Sequence, residues 1–151
     1  MTTQPIAPGA PVEVLLVEDD PGDVLMTREA FAEHSVRNRL SVVSDGADAL
    51  AFVRQQGKFA DAVRPDLVLL DLNLPRRDGR EVLAEMKSDP DLSEIPVVVL
   101  TTSSAEEDVL ASYRLHANAY VTKPPDFERF IAAVRQIDEF FANLVRLPRR
   151  A

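Results

Sequence analysis

Residues 67–79 read Leu-Val-Leu-Leu-Asp-Leu-Asn-Leu-Pro-Arg-Arg-Asp-Gly, and the fold follows from how this stretch is read. Leu67 to Leu70 are apolar at every position and end on Asp71, followed by Leu72-Asn73-Leu74-Pro75. A strand with one wet face alternates polar and apolar residues. An unbroken apolar run fits a strand covered on both faces, as in a parallel sheet between helices. The pattern recurs on either side. Val12–Val17, Leu40–Val43, Val97–Leu100 and Ala119–Val121 read as four more short strands. Amphipathic stretches lie between and after them, near Val24–His34, Ala47–Gln55, Arg80–Lys87, Glu106–Leu115 and Phe127–Val145. Five β-α units predict a doubly wound α/β domain: a five-stranded parallel sheet with five flanking helices. Asp126 stands where an N-cap belongs for the last of these.

Composition narrows the function. With 151 residues and 46% hydrophobic content, the chain suits one globular domain with a real core. No apolar run approaches the roughly 20 residues of a membrane helix. Residues 1–11 lack the features of a signal peptide and read as a disordered leader. By the same reading residues 12–147 are expected to be the domain, with an extended C-terminal helix, and 148–151 a tail, with no effector domain expected. The absence of cysteine removes disulfides, thiolate metal sites and a cysteine nucleophile, and fits a cytoplasmic setting. A net charge of −8 argues against a nucleic-acid partner, which would need Lys and Arg against phosphates.

In a doubly wound sheet, reactive groups collect beyond the carboxyl ends of the strands, near the point where strand order reverses. The strand ends here are Glu18-Asp19-Asp20, Asp71 followed by Leu72-Asn73, Thr101-Thr102-Ser103, and Thr122-Lys123-Pro124. On a parallel sheet all four share one rim. Crowded carboxylates repel one another and invite a cation. Oxygen donors without His or Cys select a hard ion such as Mg2+, which takes few protein carboxylates and shares phosphate oxygens. Glu18, Asp19, Asp71 and the carbonyl of Asn73 could supply that partial shell. Asp71, closing the most apolar strand, is the best carboxylate nucleophile for an acyl phosphate. Lys123 could neutralise phosphoryl charge, and Thr101 could donate to the same group. Alone, an acidic cluster is a solvated loop or helix cap, and a strand-end Thr or Lys-Pro is a turn. Only the combination points to chemistry.

These residues resemble the receiver domain of two-component response regulators, from about Val12 to Val145. Val-Glu-Asp-Asp (17–20), Leu-Leu-Asp-Leu-Asn-Leu-Pro-Arg-Arg-Asp-Gly (69–79), Val-Leu-Thr-Thr (99–102) and Tyr-Val-Thr-Lys-Pro (120–124) carry the likeness. The resemblance implies the flavodoxin-like strand order 2-1-3-4-5. It implies Asp71 as phosphoacceptor, Glu18 and Asp19 as the acidic metal pair, and Asn73 as a main-chain metal ligand. Thr101 is then the switch hydroxyl, Tyr120 the rotating aromatic, and Lys123 the phosphate-contacting lysine before a cis peptide bond to Pro124. Two positions depart from the pattern: Pro125 stiffens the entry to the last helix, and Ala119 stands where glycine is frequent. His116, in a loop away from the rim, reads as a surface or packing residue.

A narrower set is similar to the stand-alone regulators of bacterial phytochromes: Val-Glu-Asp-Asp-Pro-Gly-Asp-Val (17–24), Thr-Arg-Glu-Ala (27–30), Leu-Asn-Leu-Pro-Arg-Arg-Asp-Gly-Arg-Glu-Val-Leu (72–83) and Ser-Tyr-Arg-Leu-His-Ala-Asn-Ala-Tyr (112–120). It implies a phytochrome-type sensor histidine kinase as partner, with a phosphotransfer protein as a further one. Output would be a conformational shift read by other proteins. Phe127, Phe130, Val134, Ile137, Phe141 and Leu144 follow three- and four-residue steps, and the end of this stripe should outrun the sheet, predicting a homodimer. The expected activity is self-catalysed phosphotransfer with slow autodephosphorylation, not metabolic catalysis. A haloacid-dehalogenase-like phosphohydrolase would need an acid where Asn73 stands. A degenerate adaptor would not keep the whole acidic, Thr and Lys set. A nucleotide fold lacks its glycine motif.

Overall fold

The computed structural model describes residues 12–32, 38–72, 74, 78–101 and 119–122. In chain order they form β1 (Val12–Val17), α1 (Pro21–Ala32), β2 (Asn38–Val43), α2 (Gly46–Val53), a 3-10 turn at Gly57–Phe59, β3 (Leu67–Asp71), α3 (Gly79–Ser88), β4 (Val97–Thr101) and β5 (Ala119–Thr122). The strands build one sheet in the order β2-β1-β3-β4-β5, and every neighbouring pair is parallel. This is the doubly wound order expected from the sequence. The expected leader, the last two helices and the C-terminal stripe lie outside the described residues.

Alternate residues of each central strand feed two separate cores. Leu15, Val17, Val68, Leu70, Val97 and Val99 pack with α2 and α3 on one face. Val14, Leu16, Leu67, Leu69, Val98 and Leu100 pack with Phe31 of α1 on the other. This is why the strands are apolar at consecutive positions: neither face meets water. Full burial of one such side chain contributes about 2 kcal/mol, so the central strands hold the sheet rigidly beneath its rim.

The observed boundaries differ from the apolar pattern for local reasons. β2 begins at Asn38, two polar residues before Leu40. It is an edge strand, paired on one side only to β1, and the exposed Arg39 there bonds Glu13 at 3.2 Å. Helix α1 begins at Pro21, because a proline at the first helical position gives up only an N–H that has no helical acceptor. Helix α2 starts after Asp45, whose Oδ1 accepts the N–H of Asp48 at 2.8 Å. Helix α3 is tied to the turn before β4 by Lys87, whose ammonium donates to the carbonyls of Ser93 and Ile95 at 3.3 and 3.1 Å. Burial of Lys87 lowers its pKa, because the charged form loses hydration.

Candidate functional site

Strand β1 is where the chain's course across the sheet reverses, since β2 lies on one side of it and β3 on the other. The register sets Val17 opposite Leu70, so Glu18 and Asp71 leave adjacent strands at the same level. The backbone of Glu18 is pinned from the opposite side, its N–H donating to the carbonyl of Val43 in β2 at 3.0 Å. Parallel pairing thus delivers the carboxyl ends of β1 and β3 to one crevice.

Three carboxylates converge there. One oxygen from each of Glu18, Asp19 and Asp71 lies within 4.8 Å of the others. Glu18 and Asp71 are buried, at 2% and 7% exposure, whereas Asp19 is exposed. Two sunken carboxylates and one at the mouth make an oxygen-only set open on one side. Its charge and donor type suit a hard divalent cation that keeps other ligands of its own. The third acid of the Glu-Asp-Asp run does something else. Asp20 Oδ1 accepts the N–H of Gly22 at 2.8 Å and its carbonyl accepts the N–H of Val24 at 3.0 Å, so it starts α1. The N–H of Asp20 also donates to Glu18 Oε1 at 3.2 Å, which steadies the Glu18 side chain.

The other expected residues are reached only by their backbone or not at all. Thr101 is the last residue of β4, one position beyond Leu100, which pairs with Asp71. It is paired to Thr122 at the end of β5. Tyr120 lies within β5 opposite Val99. Asn73, Lys123 and His116 lie outside the described residues. Sequence reading assigned no role to Gly79, the first residue of α3, whose N–H donates to the carbonyl of Leu72 at 3.1 Å. The Asp78-Gly79 pair was the available signal, but it reads as punctuation.

The sequence profile described as "Response regulator receiver domain" matches residues 14–135. Among curated proteins, "Response regulator Rcp1" of Synechocystis sp. is 48% identical over 138 residues, covering 91% of this chain and 94% of that protein. Among solved structures, the phosphorylated cyanobacterial phytochrome response regulator RcpA superposes with a TM-score of 0.86 at 49% identity. That match covers 89% of this chain and 96% of RcpA. The Mn(2+)-bound form of Rcp1 gives a TM-score of 0.83 at 48% identity, covering 87% of this chain and 94% of that one.

Proposed function

The chain belongs to the response regulator receiver domain family, and from that premise we propose that it takes a phosphoryl group from a phytochrome-type sensor histidine kinase onto Asp71. The convergence of Glu18, Asp19 and Asp71 at the carboxyl rim of the sheet carries this reading. The phosphorylated state of RcpA and the Mn(2+) bound to Rcp1 support it.

An Asp71 carboxylate oxygen attacks the phosphorus of the donor's phosphohistidine. The O–P bond forms as the N–P bond breaks, and the electron pair returns to the imidazole nitrogen, which then takes a proton. Burial of Asp71 at the end of β3 restricts the nucleophile, and the exposed Asp19 leaves the donor a side from which to enter. Glu18, Asp19 and Asp71, with the carbonyl of Asn73, would hold Mg2+. When bound, that ion supplies positive charge to the phosphoryl oxygens. Lys123 neutralises more of that charge. Thr101 then follows the new phosphoryl group and Tyr120 reorients, which shifts the population between two conformers. Slow loss of the phosphoryl group to water resets the domain.

The similarity to the phytochrome response regulator RcpA favours this partner, and a cytoplasmic setting fits a kinase that presents its phosphohistidine there. Among the described residues, no helix is long and apolar enough to cross a membrane. A phosphotransfer protein downstream is a further recipient. Labelled phosphoryl transfer from an autophosphorylated phytochrome kinase should proceed with Mg2+ and stop on chelation with EDTA. Transfer that survives the chelator would contradict the role of the three carboxylates.

The apolar stripe from Phe127 to Leu144 favours a homodimer. Light scattering after size exclusion at tens of micromolar should return about the mass of two chains. A strict monomer, with and without beryllofluoride as phosphoryl mimic, would overturn the dimer without touching the phosphoacceptor.

A further inference from the structure

The first residue of α3 lies against the main chain of Asp71. A methyl group added to Gly79 would sit 2.7 Å from Leu72 Cα and 3.1 Å from the Asp71 carbonyl carbon, and nearer still to the Asp71 carbonyl oxygen. Unbonded carbons need about 3.5 Å or more. Every one of these neighbours is backbone, so no rotamer change relieves the clash. Either β3 or α3 has to move. Both are anchored, because Leu70, Leu72, Val82, Leu83 and Met86 are fully buried. The helix start is fixed as well: Asp78 Oδ1 accepts the N–H of Arg80 at 2.7 Å.

We infer that Gly79 is a positioning residue for the cation site. Its missing side chain lets the first turn of α3 press on the Asp71–Leu72 peptide, and that contact sets the Asp71 carboxylate relative to Glu18 and Asp19. The inference rests on the reading of those three carboxylates as the site of the ion. The tolerance there is small. Mg2+ holds its ligands in near-octahedral geometry, and a misplacement of about 1 Å at a reacting group can cost roughly a hundredfold.

Mn2+ binding to the full chain, read by electron paramagnetic resonance without any phosphoryl donor, tests this directly. Gly79→Ala should bind Mn2+ at least about tenfold more weakly than the wild type. Met86→Ala hollows the same helix from a fully buried position but leaves the Asp71–Leu72 peptide untouched, so it should bind within about twofold of wild type. Wild-type binding by Gly79→Ala, or an equal loss in Met86→Ala, would overturn the inference. If Gly79→Ala does not fold, Asp78→Ala and Asp78→Asn decide. Asparagine keeps the helix cap and alanine does not. The alanine variant should bind more weakly than the asparagine variant, and equal affinities in the two, whatever their value, would sink the claim. A wild type that takes up no Mn2+ is a separate failure, of the underlying site, and shows before any substitution is made.

Discussion

Asp71→Asn is expected to abolish phosphoryl acceptance, lowering transfer from a phosphohistidine donor by at least about a thousandfold, or about 4 kcal/mol in the barrier. The neutral amide offers no anionic oxygen to attack phosphorus, yet it has nearly the carboxylate's shape. Asp71 is the last residue of β3, paired through its backbone to Leu100, and neither that pairing nor the packing of Leu69 and Leu70 beneath it depends on the charge. The variant should therefore keep its fold: its circular dichroism should overlay that of wild type, and without a cation its melting temperature should be no lower, because one of three crowded charges is gone. Label that persists on a folded Asp71→Asn chain would remove Asp71 as the acceptor.

The second large effect is a cation-dependent gain in stability. A ligand that binds only the folded chain raises unfolding free energy by about 2.7 kcal/mol at a hundred times its Kd. Denaturant unfolding of the wild type should show that gain with Mg2+. The pair Glu18→Gln and Asp19→Asn should keep less than about 0.5 kcal/mol of it, because two of three converging oxygen donors lose their charge. Leu69→Ala provides the opposite case. It empties a fully buried position in the core beside α1 and should cost about 3 kcal/mol, yet keep the full increment from Mg2+. If the carboxylate pair gains as much from Mg2+ as wild type does, the ion binds elsewhere.

The fold was legible where burial is two-sided. Residues 67–70 and 97–100 could be read as central strands because both faces of the sheet are covered, and hydrophobicity records exactly that condition for each residue in turn. Edges were harder. The polar start of β2 at Asn38 joins the sheet through its backbone register with Val12, which leaves no apolar trace. The site divided along the same line. Asp71 could be picked out as the end of an apolar run, and Glu18 with Asp19 as the end of its neighbour. That Asp20 caps α1 while Asp19 faces Asp71 depends on where the helix begins, and three acidic residues in a row do not reveal that. Gly79 was hidden for another reason. Its importance lies in what touches it through space, the backbone of Asp71 eight positions earlier, and a single glycine carries no mark of that approach.

The central claim is that the phosphoryl group resides on the Asp71 side chain. Reducing the phosphorylated chain with borohydride converts an aspartyl phosphate into homoserine, which peptide mass spectrometry can place. Homoserine is expected at position 71 and nowhere else. Homoserine at position 19 or 20 with residue 71 unchanged would contradict it.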